Sequence, residues 1–408
     1  MNILFLFSIG FDRPNPSRQM MNDMLTDSVA EGHRVVVIEP IVDENVLPLP
    51  EHLMGNSQIK LHTVGSKIIK NNAFVRRYLD GILYAIKCIP KLRKAIHNAD
   101  VVYIQSSPTA LYNILACRFC SRKVPLVYRV QDMFPGSSIA SGVMPRRWMQ
   151  NVFYNLQKIA YAQSDRLVAI SEDMKRKLVE QGVAPEKIDV NVDWFDDTSI
   201  AEVAWEENTF AQEYNLDKSK FYVQYAGTMG YVFNYPFIID VAQQLKDEQD
   251  IVFLMIGKGS QRDRFENLVK DKRLQNIVFI PLQPQERVSE VYSACDIQLI
   301  PLKHGVIGNS VPSKAAALMA CKRPVLNSVD DDSEYYAMFN ENQIGYSVPD
   351  DDPAKAADLI RDLSRNRELC RQMGRNGYAF GKARYSRTFN TKQLLGIFRD
   401  VTERTNNE

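Results

Sequence analysis

The chain has 408 residues, 45% of them apolar, so it is long enough to form two ordinary domains. Its 50 basic and 49 acidic residues nearly cancel, which argues against a protein that grips nucleic acid through overall charge. No apolar run is long enough to span a membrane, and the opening MNILFLFSIG predicts a buried strand rather than a signal peptide. Six scattered cysteines, of which only Cys117 and Cys120 form a CxxC pair, predict reduced thiols in a cytoplasmic protein.

The first half of the chain alternates apolar strands with helices, which is typical of a parallel sheet covered on both faces. The first strand, Asn2 to Ile9, is followed by a polar loop that carries Arg13 and Arg18. Ligands bind at loops that follow the carboxyl ends of strands in open α/β sheets, so both arginines are candidates for a binding cleft. Solvated loop arginines are the alternative interpretation.

Two further strands of this half end in polar residues. Residues 101–104 lead to Ser106, and residues 125–130 lead to Asp132. A carboxylate at the end of a central strand can accept a proton from a bound hydroxyl group, which makes Asp132 a candidate catalytic residue. The alternative is a cap that closes the turn before Pro135.

A second series of strands and helices follows residues 198–217, where weak hydrophobic periodicity and gathered acids predict a linker between domains. Its first two strands end in the glycine turns Gly227-Thr228-Met229-Gly230 and Gly257-Lys258-Gly259-Ser260. Glycine lets a backbone approach a ligand closely, so these turns are candidate ligand contacts. Glycine is also common at such turns for purely structural reasons.

Residues 301–326 contain a polar loop followed by an alanine-rich segment. Ser313 and Lys314 predict the start of a helix there, and Pro324 predicts its end. Free N–H groups in the first turn, the positive end of the helix dipole and the Lys314 charge would favour an anion such as a diphosphate. A solvated lysine at an ordinary crossover is the alternative.

Residues 66–98 break the charge balance. They carry eight Lys or Arg against one acid, Asp80, with apolar residues interleaved. This pattern is typical of a helix that lies on a membrane surface, and Arg146-Arg147-Trp148 is a candidate neighbour. A solvated helix face is the alternative, while nucleic acid is disfavoured because no stacking platform accompanies the charges.

Longer motifs occur in order along nearly the whole chain, among them EGHRVVVI, YRVQDMFP, SDRLVAISEDMKRKL, YAGTMG, FLMIGKGSQRDRFE and VPSKAAALMACKRPVL. They resemble those of the family 4 glycosyltransferases, retaining enzymes of the GT-B fold that build bacterial polysaccharides. The resemblance implies an α/β fold with two Rossmann-like, doubly wound domains facing a central cleft. It implies an acceptor-binding domain over 1–197, a nucleotide-sugar-binding domain over 198–382, and a C-terminal helix over 383–408 that packs back on the first domain.

The chain departs from the family pattern near the donor helix. Many members carry two glutamates eight positions apart, and the corresponding residues here are Asn309 and Ala317. The cations that usually follow the first strand of the second domain are missing too, since residues 228–236 contain none. Either Lys314, with Lys258, binds the diphosphate in place of the missing residues, or the protein binds its ligand without catalysing transfer. Glu334 is a candidate substitute for a ribose or sugar contact.

The resemblance implies a transferase that needs no metal or cofactor. It would move a sugar, such as an N-acetylated aminosugar or a deoxysugar, from a nucleotide diphosphate donor, with UDP favoured, to a lipid-linked saccharide. The enzyme would lie on the inner face of the cytoplasmic membrane, attached through residues 66–98. A nucleotide-sugar 2-epimerase of the same fold and a silent partner subunit are the alternatives.

The candidate residues fall into three groups. The catalytic candidates are Asp132 and Lys314. The donor-binding candidates are Gly227, Thr228, Gly230, Gly257, Lys258, Gly259, Asn309, Ser313, Lys314 and Glu334. The acceptor-binding candidates are Arg13, Arg18, Ser106 and Asp132.

Overall fold

The structure is a computed structural model that describes residues 1–12, 17–43, 45–66, 74–140, 142, 144, 146–312 and 314–407. Arg13 and Ser313 therefore lie outside the described residues, as do Lys67 and Lys70 of the basic region. Among the described residues, none of the helices is both long enough and apolar enough to cross a membrane.

Strands and helices mostly alternate up to residue 348, and three consecutive helices follow. The strands are β1 (Asn2–Leu6), β2 (Arg34–Ile41), β3 (Ile59–Gly65), β4 (Val101–Gln105), β5 (Leu126–Val130), β6 (Arg166–Ala169), β7 (Ile188–Val190), β8 (Phe221–Thr228), β9 (Ile251–Lys258), β10 (Ile277–Ile280), β11 (Ile297–Pro301), β12 (Val325–Ser328) and β13 (Gly345–Val348). The helices are α1 (Arg18–Ala30), α2 (Phe74–Ala95), α3 (Ala110–Cys120), α4 (Gly136–Ala140), α5 (Arg147–Gln163), α6 (Glu172–Glu180), α7 (Thr209–Glu213), α8 (Tyr235–Gln244), α9 (Arg262–Asp271), α10 (Val288–Ser293), α11 (Lys314–Ala320), α12 (Glu334–Glu341), α13 (Pro353–Arg365), α14 (Arg367–Tyr385) and α15 (Arg387–Asn407). Short 3₁₀ turns occur at Glu51–Leu53, Ile96–Asn98, Pro185–Lys187, Trp205–Glu207 and Gln285–Arg287.

The strands form two parallel sheets. One has the order β3-β2-β1-β4-β5-β6-β7, and the other has the order β10-β9-β8-β11-β12-β13. In each sheet the chain first adds strands on one side and then crosses to the other, so the order reverses between β1 and β4 and again between β8 and β11. The predicted α/β fold with two doubly wound domains is confirmed. Loops at the carboxyl ends of strands at such a reversal are the usual ligand sites of this architecture.

The chain divides into two compact units. Unit 1 contains residues 1–137, 144–192 and 390–408, and unit 2 contains residues 138–143 and 193–389. The sequence prediction placed the division between residues 197 and 198, five residues further along. The strands of both sheets are largely buried, as their apolar runs predict for sheets covered on both faces.

The last helix belongs mainly to unit 1. Residues 390–408 lie in that unit, and the ring of Phe398 on α15 contacts those of Phe5 on β1 and Tyr103 on β4, with centroids 6.3 and 5.8 Å apart. Asn191, just after β7, donates its side-chain N–H to the carbonyl oxygen of Asn390 at 3.0 Å. Apolar packing and a buried amide therefore both hold α15 on the first sheet.

The prediction of a linker over residues 198–217 is wrong. Phe210 is fully buried in a cluster with Tyr222 and Leu254, and the Trp205 ring stacks on Tyr222. The side chain of Asn208 caps α7 by accepting the N–H of Ala211 at 2.9 Å. A few well-spaced aromatic residues fix this segment in unit 2, although its average polarity suggested a linker.

Candidate functional site

The candidate site in unit 2 lies where the strand order reverses, at the carboxyl ends of β8 and β11. The strand β8 ends in Gly227 and Thr228, and β11 leads through residues 302–312 into α11. The helix α11 is anchored by buried Ala315, Leu318 and Met319. Because both segments are fixed by the core, the side chains that follow them are held in place.

Lys314 is the first residue of α11, and its amine is enclosed. The residue as a whole is half-buried, but Nζ itself is shielded from solvent and has no hydrogen-bond partner among the described residues. It lies 3.5 Å from the centroid of the Tyr225 ring, and a Cβ on Gly227 would come within 3.3 Å of it. Burial lowers the pKa of Lys314 to about 7. The full positive charge expected from the sequence is therefore only partly present at neutral pH.

Tyr225 forms one wall around this amine. Its hydroxyl group donates a hydrogen bond to the carbonyl oxygen of Thr228 at 2.7 Å, and its ring packs against Phe233 with centroids 4.4 Å apart. Burial raises the pKa of the Tyr225 hydroxyl, so the group remains a protonated donor at physiological pH. The face of the ring carries partial negative charge, which attracts a cation. Tyr225 was not among the sequence candidates, since only its position near a strand end could have suggested it.

The two glycine turns pack against each other. At Gly257, φ is 145° and a Cβ would lie 1.9 Å from the Gly227 carbonyl oxygen; at Gly259, φ is 155° and a Cβ would lie 2.3 Å from the Met229 oxygen. Contact between the ends of β8 and β9 thus accounts for glycine at both positions without a ligand. At Gly230 a Cβ would make only an ordinary contact, 3.7 Å from the side chain of Thr228.

Thr228 and Lys258 are the exposed ends of these two strands. They face each other in the register of β8 and β9, and both side chains are accessible. The structure therefore brings the predicted donor residues of both turns to the same sheet edge as Gly227, on which a Cβ would lie 3.3 Å from Lys314 Nζ. Their roles in binding stay predictions.

Asp330 organises the loop that leads to α11. Its two carboxylate oxygens accept the backbone N–H groups of Gly305 at 2.6 Å and Ile307 at 3.1 Å. The side chain of Asn309 closes the same loop by donating to the Gly305 carbonyl oxygen at 2.9 Å. Asn309, predicted to contact the donor, thus has its amide nitrogen engaged within the loop. No sequence pattern indicates the role of Asp330, because its partners lie in another loop.

His304, Asp330 and Asp350, near this loop, lie close enough together to be candidate metal ligands. His304 Nδ1 lies 2.9 Å from an Asp330 oxygen and 3.5 Å from an Asp350 oxygen. Both Asp330 oxygens already accept backbone N–H groups, and the His304 side chain is 82% exposed. Hydrogen bonding explains the cluster, so we assign no metal to it. The expectation of a metal-independent enzyme stays a prediction.

Glu334 and Ala317, the remaining positions of interest in unit 2, have different surroundings. Glu334 is the exposed first residue of α12, which is capped by the Ser333 hydroxyl group accepting the Tyr336 N–H at 3.0 Å. It follows the carboxyl end of β12, at the same sheet edge as Lys314. Ala317 packs in an apolar cluster around Phe195. The position that holds a glutamate in many family members is therefore lined by hydrocarbon here.

A cavity of about 210 Å³ in unit 2 lies away from this site. Its lining includes Asp296, which precedes β11, and Pro324, which precedes β12, so it opens at the amino ends of the strands. The cavity is rich in cations, but Arg323 is bonded to Glu202 at 2.9 Å and Arg367 to Asp296 at 3.1 Å. Because these ion pairs already satisfy the charges, we do not assign the donor to this cavity.

The acceptor candidates lie in unit 1. The Ser106 hydroxyl oxygen accepts the backbone N–H groups of Gln131 at 3.1 Å and Asp132 at 3.3 Å, so it ties the end of β4 to the end of β5. Asp132 is exposed at that end, and Arg18 is exposed at the start of α1. Ser106 thus has a structural role, while Asp132 and Arg18 remain accessible.

Sequence reasoning overlooked a polar group at the reversal point of the first sheet. The hydroxyl oxygen of Ser8, after β1, accepts hydrogen bonds from Ser107 at 3.1 Å and from Asn113 at 3.0 Å. Both donors lie at or after the end of β4. Ser8 follows an apolar run, and only the sheet order shows that these three residues meet.

The fold and the site define a class of two-domain α/β proteins. In each doubly wound sheet of such a protein, ligands can bind at the carboxyl ends of the strands, where the strand order reverses. The model of the Glycosyl transferases group 1 family matches residues 206–380, and that of Glycosyltransferase Family 4 matches residues 20–191. Together they span most of the chain. The chain belongs to the family 4 glycosyltransferases of the GT-B fold and is a transferase.

Named relatives agree with this assignment. The probable glycosyltransferase WbjE of Pseudomonas aeruginosa is 25% identical over 338 residues, which cover 81% of this chain and 78% of the relative. The putative colanic acid biosynthesis glycosyl transferase WcaI of Escherichia coli is 27% identical over 157 residues, 38% of each chain. The crystal structure of Anabaena HepE in complex with UDP has a TM-score of 0.74 at 14% identity, covering 98% of this chain and 100% of HepE.

Proposed function

We propose that this chain is a retaining glycosyltransferase that transfers a sugar from a UDP-sugar to a lipid-linked saccharide of a bacterial surface polysaccharide. The observation that carries the proposal is the enclosed Nζ of Lys314, which has no partner among the described residues and lies where the second sheet reverses its order. A buried amine without a partner is unfavourable, and a diphosphate supplies the negative charge that would satisfy it. HepE, which shares the fold, was solved with UDP and with UDP-glucose, and WcaI is named for colanic acid biosynthesis.

In the proposed reaction the bond between the anomeric carbon and the diphosphate oxygen breaks, and a bond from the acceptor oxygen forms on the same face of the sugar. The acceptor proton passes to the departing diphosphate, so no enzymic base is required. Lys314 in its ammonium form stabilises the negative charge that builds on the diphosphate. Asp132, exposed at the end of β5, orients the acceptor hydroxyl group.

Calorimetric titration of the full chain with UDP, GDP, ADP, TDP and CMP, without added metal, tests the donor class. We expect selective binding of UDP. Selective binding of another diphosphate would replace UDP as the donor nucleotide, and failure to bind any would overturn the proposal. Transfer from the matching nucleotide sugars to a bacterial lipid extract then tests the reaction, with the anomeric configuration of the product read by NMR. Asp132→Asn should keep donor affinity and lower transfer about tenfold or more.

The acceptor side of the proposal rests on a surface formed by α2, α3 and α5, here called the three-helix face. Tyr78 on α2 joins these helices, since its ring contacts Tyr112 on α3 and Phe153 on α5 with centroids 5.8 and 5.3 Å apart. The three helices together contain nine Lys or Arg and one acid, Asp80, whose carboxylate accepts a hydrogen bond from Ser66. Such an excess of positive charge suits an anionic lipid surface.

Apolar side chains project from the same helices. Leu79, Leu83 and Ile86 recur at helical spacing along α2, and each is more than half exposed. Exposed apolar residues on the neighbouring helices are Leu115, Phe119, Trp148, Val152 and Ile159. Apolar residues interspersed with Lys and Arg are typical of a helix surface that lies in the membrane interface. We therefore propose that α3 and α5, whose first turn includes the predicted neighbours Arg147 and Trp148, extend the membrane-binding region predicted from residues 66–98.

Sedimentation with vesicles tests the three-helix face. We expect the protein to sediment with phosphatidylglycerol vesicles and much less with phosphatidylcholine vesicles. Reversing the exposed charges of Arg76, Lys94 and Arg147 to Glu should release it. Reversing Lys246, Arg264 and Lys270, which are exposed in unit 2, is the matched control and should leave sedimentation unchanged. Equal release by both triple variants would mean that only overall charge matters, and retention by the first variant would reject this surface.

A further inference from the structure

Among the described residues, no carboxylate or other hydrogen-bond partner contacts the Lys314 amine, and burial is the cause of its lowered pKa. The strands β11 and β12 carry no titratable side chain, and β8 contributes Tyr225 under Nζ. The helix α14 approaches α11 through Gly377 and Gly381, which contact Met319. On the loop before α11, His304 is directed to Asp330 and Asp350.

The lack of a hydrogen-bond partner determines whether the Lys314 amine is protonated in the ligand-free protein. Burial lowers the pKa of Lys314 to about 7, so at pH 8 most molecules hold a neutral amine. Burial raises the pKa of the Tyr225 hydroxyl, which donates to Thr228 and does not exchange a proton in this range. A diphosphate placed beside Nζ would favour the charged ammonium form.

We propose that the donor diphosphate binds to Lys314 with the uptake of one proton from solvent. In this proposal Tyr225 is the positioning residue that shields the amine from water in the ligand-free protein. The inference rests on the proposed function, because it requires the diphosphate to bind at Lys314. The neutral amine gains a proton and becomes an ammonium when the donor binds, and that proton returns to solvent when the nucleotide leaves. No other bond changes in this step.

The role of Tyr225 follows from its contacts. The ring lies 3.5 Å from Nζ and is held by Phe233 on one side and by its own hydroxyl bond to Thr228 on the other. It excludes water from the amine in the ligand-free state, and its electron-rich face stabilises the ammonium in the bound state. A phenyl ring could do both, whereas an aliphatic side chain would let water reach Nζ.

Calorimetry of the full chain with UDP at pH 8.0, in buffers that differ in ionisation enthalpy, measures the protons taken up. The terminal phosphate of UDP is already ionised at this pH, so its own titration contributes little. We expect uptake close to one proton per UDP. The dissociation constant should rise about tenfold per pH unit between pH 7.5 and 9, because one proton is linked to binding.

Variants separate the two parts of the proposal. Lys314→Arg carries a permanent charge, so it should bind UDP without proton uptake and without this pH dependence. Tyr225→Phe should keep uptake near one proton. Tyr225→Leu should lose most of it at pH 8.0, because a hydrated Lys314 is already charged. If Tyr225→Leu behaves as Tyr225→Phe does, the positioning role of the ring is wrong.

The outcomes distinguish this inference from the proposed function. UDP binding by the unaltered chain with no proton uptake overturns the inference and leaves the proposed function in place. Equal uptake by Lys314→Arg assigns the proton to another group and overturns it as well. Failure to bind any of the five nucleotides overturns the proposed function, and the inference falls with it. If circular dichroism shows that Lys314→Arg is unfolded, the buffer and pH series on the unaltered chain and on the Tyr225 variants decides.

Discussion

Two buried cations in this protein have opposite surroundings. Arg129 on β5 in unit 1 is fully buried, and its guanidinium donates to the side-chain and backbone oxygens of Asn191 and to the backbone oxygen of Val192. Lys314 in unit 2 has an enclosed amine with no hydrogen-bond partner among the described residues. Burial of a cation is thus by itself no sign of function. What distinguishes Lys314 is that its charged atom has no hydrogen-bond partner at all among the described residues, whereas the Arg129 guanidinium donates three hydrogen bonds.

The connections around Arg129 explain its role. Asn191, which accepts from Arg129, donates in turn to the Asn390 carbonyl oxygen at 3.0 Å and to the Gln393 side chain at 2.9 Å. The arginine therefore links the centre of the first sheet to the start of α15. Guanidinium suits this position, because its several donors match several fixed acceptors.

The largest expected effect is on stability, from Arg129→Met. The variant leaves buried oxygens of Asn191 and Val192 without their donor, so we expect the free energy of unfolding to fall by about 4 kcal/mol. Urea unfolding followed by circular dichroism measures it. Lys218→Met, which removes an exposed ion pair with Glu206, is the control and should not shift the midpoint measurably. A loss for Arg129→Met no larger than the control would mean that the two cations do not differ as described.

The second prediction is the reverse case, Lys314→Met. We expect the affinity for UDP to fall roughly thirtyfold, because a charge-assisted bond to the diphosphate is lost. The free energy of unfolding of the ligand-free protein should stay the same or rise, since a buried amine without a partner is replaced by an apolar side chain. Calorimetric titration and urea unfolding of the same preparation check both. A clear loss of stability with unchanged affinity would make Lys314 a structural residue like Arg129.

The third prediction is the smallest and concerns pH. In the unfolded chain Lys314 titrates near its ordinary value of 10.5, and in the folded chain near 7. Between these values the unfolded state binds more protons, so the contribution of Lys314 to the free energy of unfolding rises with pH, by at most about 1.4 kcal/mol per pH unit. Below about pH 6 the amine is mostly protonated in both states, and the contribution is nearly constant.

Comparison with Lys314→Met isolates this contribution, because buried cysteines and tyrosines also titrate above pH 8 in the unfolded chain. We expect the unaltered chain to gain about 1 kcal/mol of stability relative to the variant as the pH rises from 7 to 8. A constant difference between the two proteins over this range would show that Lys314 keeps its charge in the folded state, and the contrast with Arg129 would then rest on hydrogen bonding alone.

Much of the fold could be predicted because the relevant signals are local. Apolar runs such as residues 3–6 and 35–38 predict buried parallel strands, and alternation with helices predicts two doubly wound sheets. The position of Lys314 at the start of a helix after β11 was predicted in the same way. The linker prediction over 198–217 failed because average polarity concealed Trp205 and Phe210, which pack in the core of unit 2.

The electrostatic state of the site could not be predicted, because it depends on residues distant in the chain. The Tyr225 ring covers the Lys314 amine and shields it from water, and no local sequence pattern indicates that these two residues are in contact. Asn309 appeared to be a donor contact by its place in the motif, but its amide closes a loop that Asp330 also holds. Glycine turns suggested ligand approach, whereas at Gly257 and Gly259 the neighbouring strand end occupies the space.

The apolar cluster around Ala317 limits how this enzyme could be engineered toward the usual family pattern. Ala317 packs against Phe195, Ala316 and Ala320, and Ile200 and Tyr385 flank the same cluster. A glutamate introduced at this half-buried position would begin beside hydrocarbon groups with no cation to pair with in that cluster, which would favour its neutral form. Recreating the glutamate pair therefore requires redesign of the packing beneath α11 as well as the two substitutions.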